Sequence, residues 1–282
     1  MSEAPVIALA AALGSAMAHA VMTLFTKQAR DMLVFRAVSM TICALALSPL
    51  LILLPFPPWE AWRFLLLGAA IIWAFNMAMI AAMQRGQMNL VYPVMRGSAP
   101  ALAGLFAFIV LGEPLGPAAI LGLSIASAAL IAFAWPERGG APKAGALAFA
   151  LTAALMTASY TVNDASGVRA AGSALSYLSW FFVLSAASLG ATALIRRGRA
   201  FAMQARSELP RAAASSVFNI TTYGLALYAL SIAPVAPVAA LRETSIVFGA
   251  ILAAIVLKEP FGARRAVMAL VLAGGLALLQ LG

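Results

Sequence analysis

The sequence predicts an all-α membrane protein: ten transmembrane helices arranged as two inverted five-helix repeats. Three observations predict it. The 282 residues are 64% hydrophobic and only 10% charged, with mean hydropathy +0.99, whereas a soluble domain carries about 25% charge. Apolar runs of roughly 20 residues, the length that crosses a hydrocarbon layer, recur ten times. Two short strings, Gly112-Glu113-Pro114 and Lys258-Glu259-Pro260, each close such a run and lie 146 residues apart, about half the chain.

The ten runs fall at about 5–26, 33–54, 62–83, 89–111, 116–135, 144–163, 174–195, 211–231, 235–257 and 262–281. They are continuous rather than alternating, which excludes barrel strands. Residues 1–138 form the first repeat and 139–282 the second, within one membrane domain. The connections are too short for a soluble domain. Cys43 is the single cysteine and lies inside a span, so no internal disulfide forms. The first run is long for a signal peptide, and Met1-Ser2-Glu3-Ala4-Pro5 lacks positive charge, so the run is expected to be retained.

The net charge of +9 does not point to nucleic acid, because of where the charge lies. Fourteen of the eighteen Lys and Arg fall in or beside the first, third, fifth, seventh and ninth connections: Lys27, Arg30, Arg36, Arg85, Arg138, Lys143, Arg196, Arg197, Arg199, Arg206, Arg211, Lys258, Arg264 and Arg265. The opposite side has only Arg63 and Arg169, and Arg96 and Arg242 fall within spans. Cytoplasmic connections are the basic ones, so both termini are expected outside. The basic loops then read as topology signals and lipid headgroup contacts, and the expected partners are the bilayer and a small-molecule substrate. A monomer suffices for this plan, and a dimer stays open.

Five helices per half is an odd number, so the second half enters from the other side. This is the inverted-repeat plan of secondary transporters. The turns agree: residues 112–116 carry no Lys or Arg, whereas 258–265 carry three. Val91-Tyr92-Pro93-Val94 resembles Val235-Ala236-Pro237-Val238, and Arg96 and Arg242 both stand 17 residues before Glu113 and Glu259 but three and five residues after the prolines, a two-residue slip near the helix start. Prolines near a helix start loosen it, and broken helices often line a transport path; prolines are also simply common in membrane helices.

Ten spans in two halves, with Pro-containing fourth and ninth helices running into Gly-Glu-Pro and Lys-Glu-Pro turns, resemble the drug/metabolite transporter superfamily. More narrowly, the chain resembles a ten-helix EamA-like permease, and it is similar to bacterial exporters of aromatic and other neutral amino acids. The likeness spans the whole chain. It implies alternating access around a central cavity lined by the first, third, fourth, sixth, eighth and ninth helices, with the fifth and tenth outside. Small multidrug members of the superfamily place a glutamate on the first helix. The first span here has no acid, which argues against cationic drugs.

Intramembrane ionisable groups are functional candidates. Arg96 and Arg242 lie about 10 Å into their spans from opposite faces, placed as alternating gates or as carboxylate anchors, because a guanidinium forks a carboxylate. The alternative is a structural pairing with carbonyls, a lipid phosphate or an acid. Glu243 reads as the one acid clearly within a span. It carries a coupling proton or, the favoured reading, pairs with one of the two arginines. His19, the only histidine, has Ser15 and Thr23 four residues either side, a polar stripe on one face. It faces the substrate or bonds a neighbouring helix. Trp73 with Asn76, Tyr160 with Asn163, and Asn219 with Tyr223 each put an aromatic and an amide on one helix face, a wall suited to a zwitterion with an apolar side chain; ordinary packing is the alternative. Tyr92 joins this substrate-binding set. Met77, Met79, Met83, Met88 and Met95 offer an adaptable lining. Trp59 and Trp62 read as interface anchors. Small residues four apart, Ala118, Gly122 and Ala126, and Ala269, Ala273 and Ala277, suit close helix approach, within the monomer or between copies.

No zinc-peptidase, serine-hydrolase or phosphate-loop pattern occurs, and one His with one Cys makes no ordinary zinc site. The expectation is a transporter rather than an enzyme, without cofactor or metal. It exports small neutral metabolites, foremost aromatic or other apolar amino acids, and the alternatives are nucleosides or sugars as substrate, or a non-transporting membrane subunit or sensor.

Overall fold

The structure is a computed structural model, described over residues 3–85, 88–134, 144–256 and 262–280. Helices form at every predicted span: α1 Glu3–Lys27, α2 Met32–Leu47, α3 Leu50–Leu53, α4 Trp59–Arg85, α5 Met88–Phe106, α6 Pro117–Ala134, α7 Ala144–Ala171, α8 Ala174–Arg197, α9 Ala200–Ile232, α10 Val235–Glu243, α11 Ser245–Val256 and α12 Ala263–Gln280. No strand occurs among the described residues. The protein is an all-α membrane protein. The helices α1, α4, α7 and α8, and the stretch Val94–Leu111 of α5 with its extension, are each long and apolar enough to cross a bilayer unaided.

Local chemistry sets the ends. The Asp31 side chain accepts from the N–H groups of Leu33 and Val34 at 3.0 and 3.2 Å and starts α2. Ser48 and Pro49 follow Leu47 and divide the second span into α2 and α3. Past Phe106 the fourth span finishes in a π-helical turn, Ala107–Leu111, and Gly112 ends it at φ 66°, a conformation that costs a residue with a side chain. Two spans run longer than read from the sequence. The sixth continues to Ala171 and the eighth starts at Ala200. At 33 residues α9 is about 50 Å long, well beyond a ~30 Å hydrocarbon layer. The ninth span breaks at Thr244, whose hydroxyl donates to the Leu241 carbonyl at 2.6 Å. The Lys258-Glu259-Pro260 turn lies outside the described residues.

The packing is symmetric about a pseudo-twofold that exchanges the halves. As α4 packs on α7, α1 packs on α9; as α5 packs on α7, α10 and α11 pack on α1; as α2 packs on α9, α8 packs on α4. The pairs α2 with α8, α5 with α10, and α6 with α12 lie across the axis itself. Each half therefore buries its apolar faces chiefly on the other. Of the two tryptophans read as anchors, Trp59 is 80% exposed. Trp62 instead packs within the protein, 5.2 Å from Phe56 and 5.0 Å from Trp180 between ring centroids.

The small-residue stripes serve the α6–α12 contact within the monomer. Gly122 approaches so closely that a Cβ there would lie 2.5 Å from the Leu279 nitrogen and 2.6 Å from the Gly275 oxygen. The partner position is Gly275 rather than Ala273 or Ala277. Backbone cannot yield as a side chain can, so Gly122→Ala is expected to cost about 1–3 kcal/mol and lower the melting temperature of detergent-solubilised protein. Gly190→Ala, where a Cβ meets nothing within 4 Å, is the matched control and should leave melting unchanged.

Candidate functional site: a cationic cavity open toward one face

The symmetric packing leaves a cavity of about 150 Å³ between the halves. It is lined from α1, α2, α4, α5, α7, α9 and α10. The family expectation omitted α2, which contributes Met32, Arg36 and Met40. Among the described residues, α6 and α12 supply none of the lining, as expected of the fifth and tenth spans. Thr26, Ala29 and Met32 at one end place the cavity beside the α1–α2 connection, on the face read as basic.

Of the residues singled out from the sequence, His19, Thr23, Arg96, Tyr160, Asn219, Tyr223 and Arg242 line this cavity. Trp73, Asn76, Asn163 and Glu243 do not. Trp73 is 38% exposed, and its indole N–H donates to Thr192 on α8 at 2.8 Å. Asn163 turns to α4 and donates to the Phe64 carbonyl at 2.8 Å. Asn76 is fully buried behind the wall, where its Oδ1 accepts from Arg36 Nε at 3.0 Å. The Tyr92 and Met88 side chains lie outside the described residues. Helix geometry explains the split. Residues three apart differ by about 60° around the axis and residues four apart by about 40°. The Tyr160–Asn163 pair straddles the edge of the cavity face, with Tyr160 on it and Asn163 off it, and Trp73 and Asn76 both lie off it. The i, i+4 pairs, His19 with Thr23 and Asn219 with Tyr223, stay on it.

Arg96, on α5, donates to both carboxylate oxygens of Glu243 at 3.1 and 3.3 Å and also to Nε2 of His19. A guanidinium only donates, so Nε2 accepts and the ring proton of a neutral His19 is on Nδ1. Glu243 thus takes the structural pairing. Arg242 Nε donates to the Ser15 hydroxyl at 3.2 Å, and Ser15 in turn donates to the Thr222 carbonyl at 2.6 Å. Arg96 and Arg242, expected toward opposite faces, meet at one cavity. Arg36 is a third guanidinium there, which sequence reading had counted as a loop flank. Its signal was present: it lies within the apolar run that Asp31 caps. Among the described residues, neither Arg36 nor Arg242 has a carboxylate within 4 Å. The cavity is therefore rich in positive charge. Its apolar walls are Met22, Met32, Met40, Met79, Met83, Met95, Ile72 and Phe75. Of the expected methionines, Met77 packs into the core instead.

Sequence reading also missed two buried acids. Asp164, 2% exposed, falls one residue past the predicted end of the sixth span, so Glu243 is not the one acid within the membrane. Glu208, 1% exposed, accepts the backbone N–H groups of Arg30 and Asp31 at 2.8 and 3.3 Å and holds the α1–α2 turn to α9. On the same turn Asp31 pairs with Arg197 at 2.6 Å. Burial raises the Asp31 carboxyl pKa, but the Arg197 hydrogen bond and the N–H groups of Val34 and Leu33 outweigh it and hold it below the usual value.

The opposite face is shut by a latch. Glu113, in the Gly-Glu-Pro turn, accepts from Arg169 at 3.0 Å with one oxygen and from the Val235 N–H at 2.7 Å with the other. Arg169 also donates to the carbonyls of Leu230 and Ala233 at 3.0 and 2.9 Å. One acid and one arginine thereby tie the end of the fourth span to the ends of α7 and α9 and the start of α10. A carboxylate at the start of α10 also complements that helix dipole. The cavity thus reaches one face while contacts at the other hold the helix ends together.

The sequence profile of the EamA-like transporter family matches residues 6–135 and again 144–281. The chain belongs to the EamA-like transporter family. The two matches are the two five-helix halves, and the family makes this protein a transporter of the drug/metabolite type. A solved crystal structure of another protein superposes on 100% of this chain and 97% of its own with TM-score 0.75 and 16% identity, a likeness of fold alone. Among curated proteins none matched.

In this EamA-like transporter the latch makes a testable demand. Each hydrogen bond to a charged group contributes about 1.5–3 kcal/mol, so removing Arg169 should favour opening of the latched face about tenfold or more. The probe is Ala236→Cys, a position 3% exposed behind the latch, in a Cys43→Ala background. Membrane-impermeant maleimide applied from that face should label it faster when Arg169→Ala is added. Equal labelling with and without Arg169 would show that other contacts close this face.

Proposed function

We propose that this protein exports small carboxylate-bearing metabolites, foremost amino acids with aromatic or other apolar side chains, across a bacterial inner membrane by alternating access. The observation that carries the proposal is the cavity's make-up. Three guanidiniums meet there, two of them answered only by neutral partners among the described residues, against walls of methionine and aromatic carbon. Uncompensated cations in a membrane interior are expensive, and a substrate carboxylate on Arg36 or Arg242 supplies what the resting protein lacks. Arginine holds a carboxylate bidentately. The methionines adapt to differing side chains, and Tyr160 and Tyr223 give an aromatic side chain a surface to lie on. The surplus of positive charge disfavours cationic solutes. Arg96, already engaged by Glu243 and His19, keeps α1, α5 and α10 together around the site.

The decisive test is efflux from proteoliposomes loaded with labelled amino acids, sugars and nucleosides. Apolar and aromatic amino acids are expected to leave faster than from protein-free liposomes. Sugar or nucleoside efflux alone would overturn the substrate class. Arg36→Ala and Arg242→Ala should each weaken transport about 10- to 150-fold, the loss of one charge-assisted contact, while insertion is unchanged. Lysine at either position should recover part of it, since it keeps the charge without the fork.

The basic connections orient the protein with both termini outside and the open side of the cavity toward the cytoplasm. A reporter fused after Gly282 should behave as periplasmic. A cytosolic signal would reverse the orientation, and with it the direction in which this state faces.

A further inference from the structure

We infer that Asp164 is a proton-binding site, seated between the cavity and the latched face, through which the transporter exchanges a proton for its substrate. Asp164 lies on α7, five residues before the latch arginine Arg169 and one turn beyond the cavity residue Tyr160. One carboxylate oxygen accepts from the Tyr177 hydroxyl of α8 at 3.1 Å, and the other accepts from the Tyr223 hydroxyl of α9. Tyr223 is itself a cavity wall. A single side chain therefore separates the acid from the space the substrate enters.

The pocket around the acid is built by two glycines. A Cβ on Gly167 would lie 2.4–2.6 Å from the Tyr177 ring and hydroxyl, so only glycine there lets Tyr177 reach Asp164. Gly68 of α4 brings its backbone alongside, where a Cβ would stand 3.4 Å from an Asp164 oxygen. The groups that face Asp164 are Tyr177 from α8 and Tyr223 from α9, with Asn163 beside it on α7, and Arg242 of α10 is the nearby cation, lining the same cavity as Tyr223. Among the described residues no cation forms an ion pair with it. An acid in a membrane interior without a paired cation carries a proton readily in one state and gives it up in another, and such acids mark proton relays. The other acid at the cavity, Glu243, is held by Arg96 and is not placed to alternate in this way.

The exchange follows from charge. With the substrate carboxylate on Arg36 or Arg242, the substrate ammonium points into the tyrosine end of the cavity. Rotation of Tyr223 opens Asp164 to it. A protonated Asp164 loses its proton to the cavity side as the ammonium arrives, and carboxylate and ammonium then pair. When the latched face opens, the substrate leaves and Asp164 takes one proton from that side. One proton moves inward for each zwitterion moved outward. The exchanged solute rests on the proposed function; the proton site does not.

The test uses the full-length protein in liposomes and in detergent. With the lumen one pH unit more acidic than the medium, wild type is expected to accumulate labelled amino acid up to about tenfold, the ratio that one-for-one exchange allows. Asp164→Asn should lose this response, and its exchange of labelled for unlabelled amino acid with no gradient should be weakened, because the substrate ammonium loses its carboxylate partner. Asp164→Glu should regain part of the response. Tyr223→Phe, which keeps the ring, should shift the pH at which the response appears. A gradient response in Asp164→Asn equal to wild type would overturn the inference. So would loss of both activities in Asn and Glu variants alike, which marks a structural role. If wild type moves no amino acid, the substrate reading fails separately. Infrared titration in detergent then decides the proton site: a protonated-carboxyl band that wild type shows and Asp164→Asn lacks supports it, and identical spectra overturn it.

Discussion

A charge within the hydrocarbon layer has no water to answer it, so the protein must supply the answer itself. That constraint orders the centre of this molecule. Arg96 of the first half is held by Glu243 of the second; Arg242 of the second reaches Ser15 of the first. Arg36 is held within the first half by Asn76. The two halves are thus joined by polar contacts at the axis as well as by apolar packing around it. The positive charge left over gives the cavity between them its cationic character.

The same economy governs the two faces. On the latched face one glutamate satisfies an arginine and a helix N-terminus together, and the arginine satisfies two carbonyls at a helix end. On the other face Glu208, Asp31 and Arg197 fix the turn between α1 and α2 to α8 and α9. The contacts differ in kind. Glu208 grips backbone and is almost wholly buried, whereas Arg169 is a third exposed. Water can replace the partners of a part-exposed ion pair, so the latch opens at modest cost. Inversion of the repeat provides two similar places at which such contacts are built.

Asp164 and Arg36 share a history in the sequence: each stands at the rim of an apolar run, where a charge reads as the end of a span. The runs do not end there. The Asp31 cap sets α2 going before Arg36, and α7 continues through Asp164 to Ala171. A charged residue at such a rim is tolerated when a neighbouring helix brings a partner. Asn76 does so for Arg36, and Tyr177 and Tyr223 do so for Asp164. Partners from helices distant in sequence leave no mark in the local pattern.

Composition and the spacing of the two Glu-Pro turns determined the ten helices, their division in two and the membrane environment, because these follow from local apolar length and from an odd helix count. They also determined that Arg96, Arg242 and His19 were candidates, since any ionisable group in such a run is conspicuous. Only the tertiary structure decided which faces turn inward. A three-residue spacing turns a side chain by about 60°, enough to send Asn163 into α4 while Tyr160 stays in the cavity, and both Trp73 and Asn76 turn away from it. Only the structure brought Arg36 to the cavity and put Tyr223 on Asp164, because these contacts join residues 40 and 59 positions apart. Pairings of that range are set by how helices pack, and no window along the chain contains them.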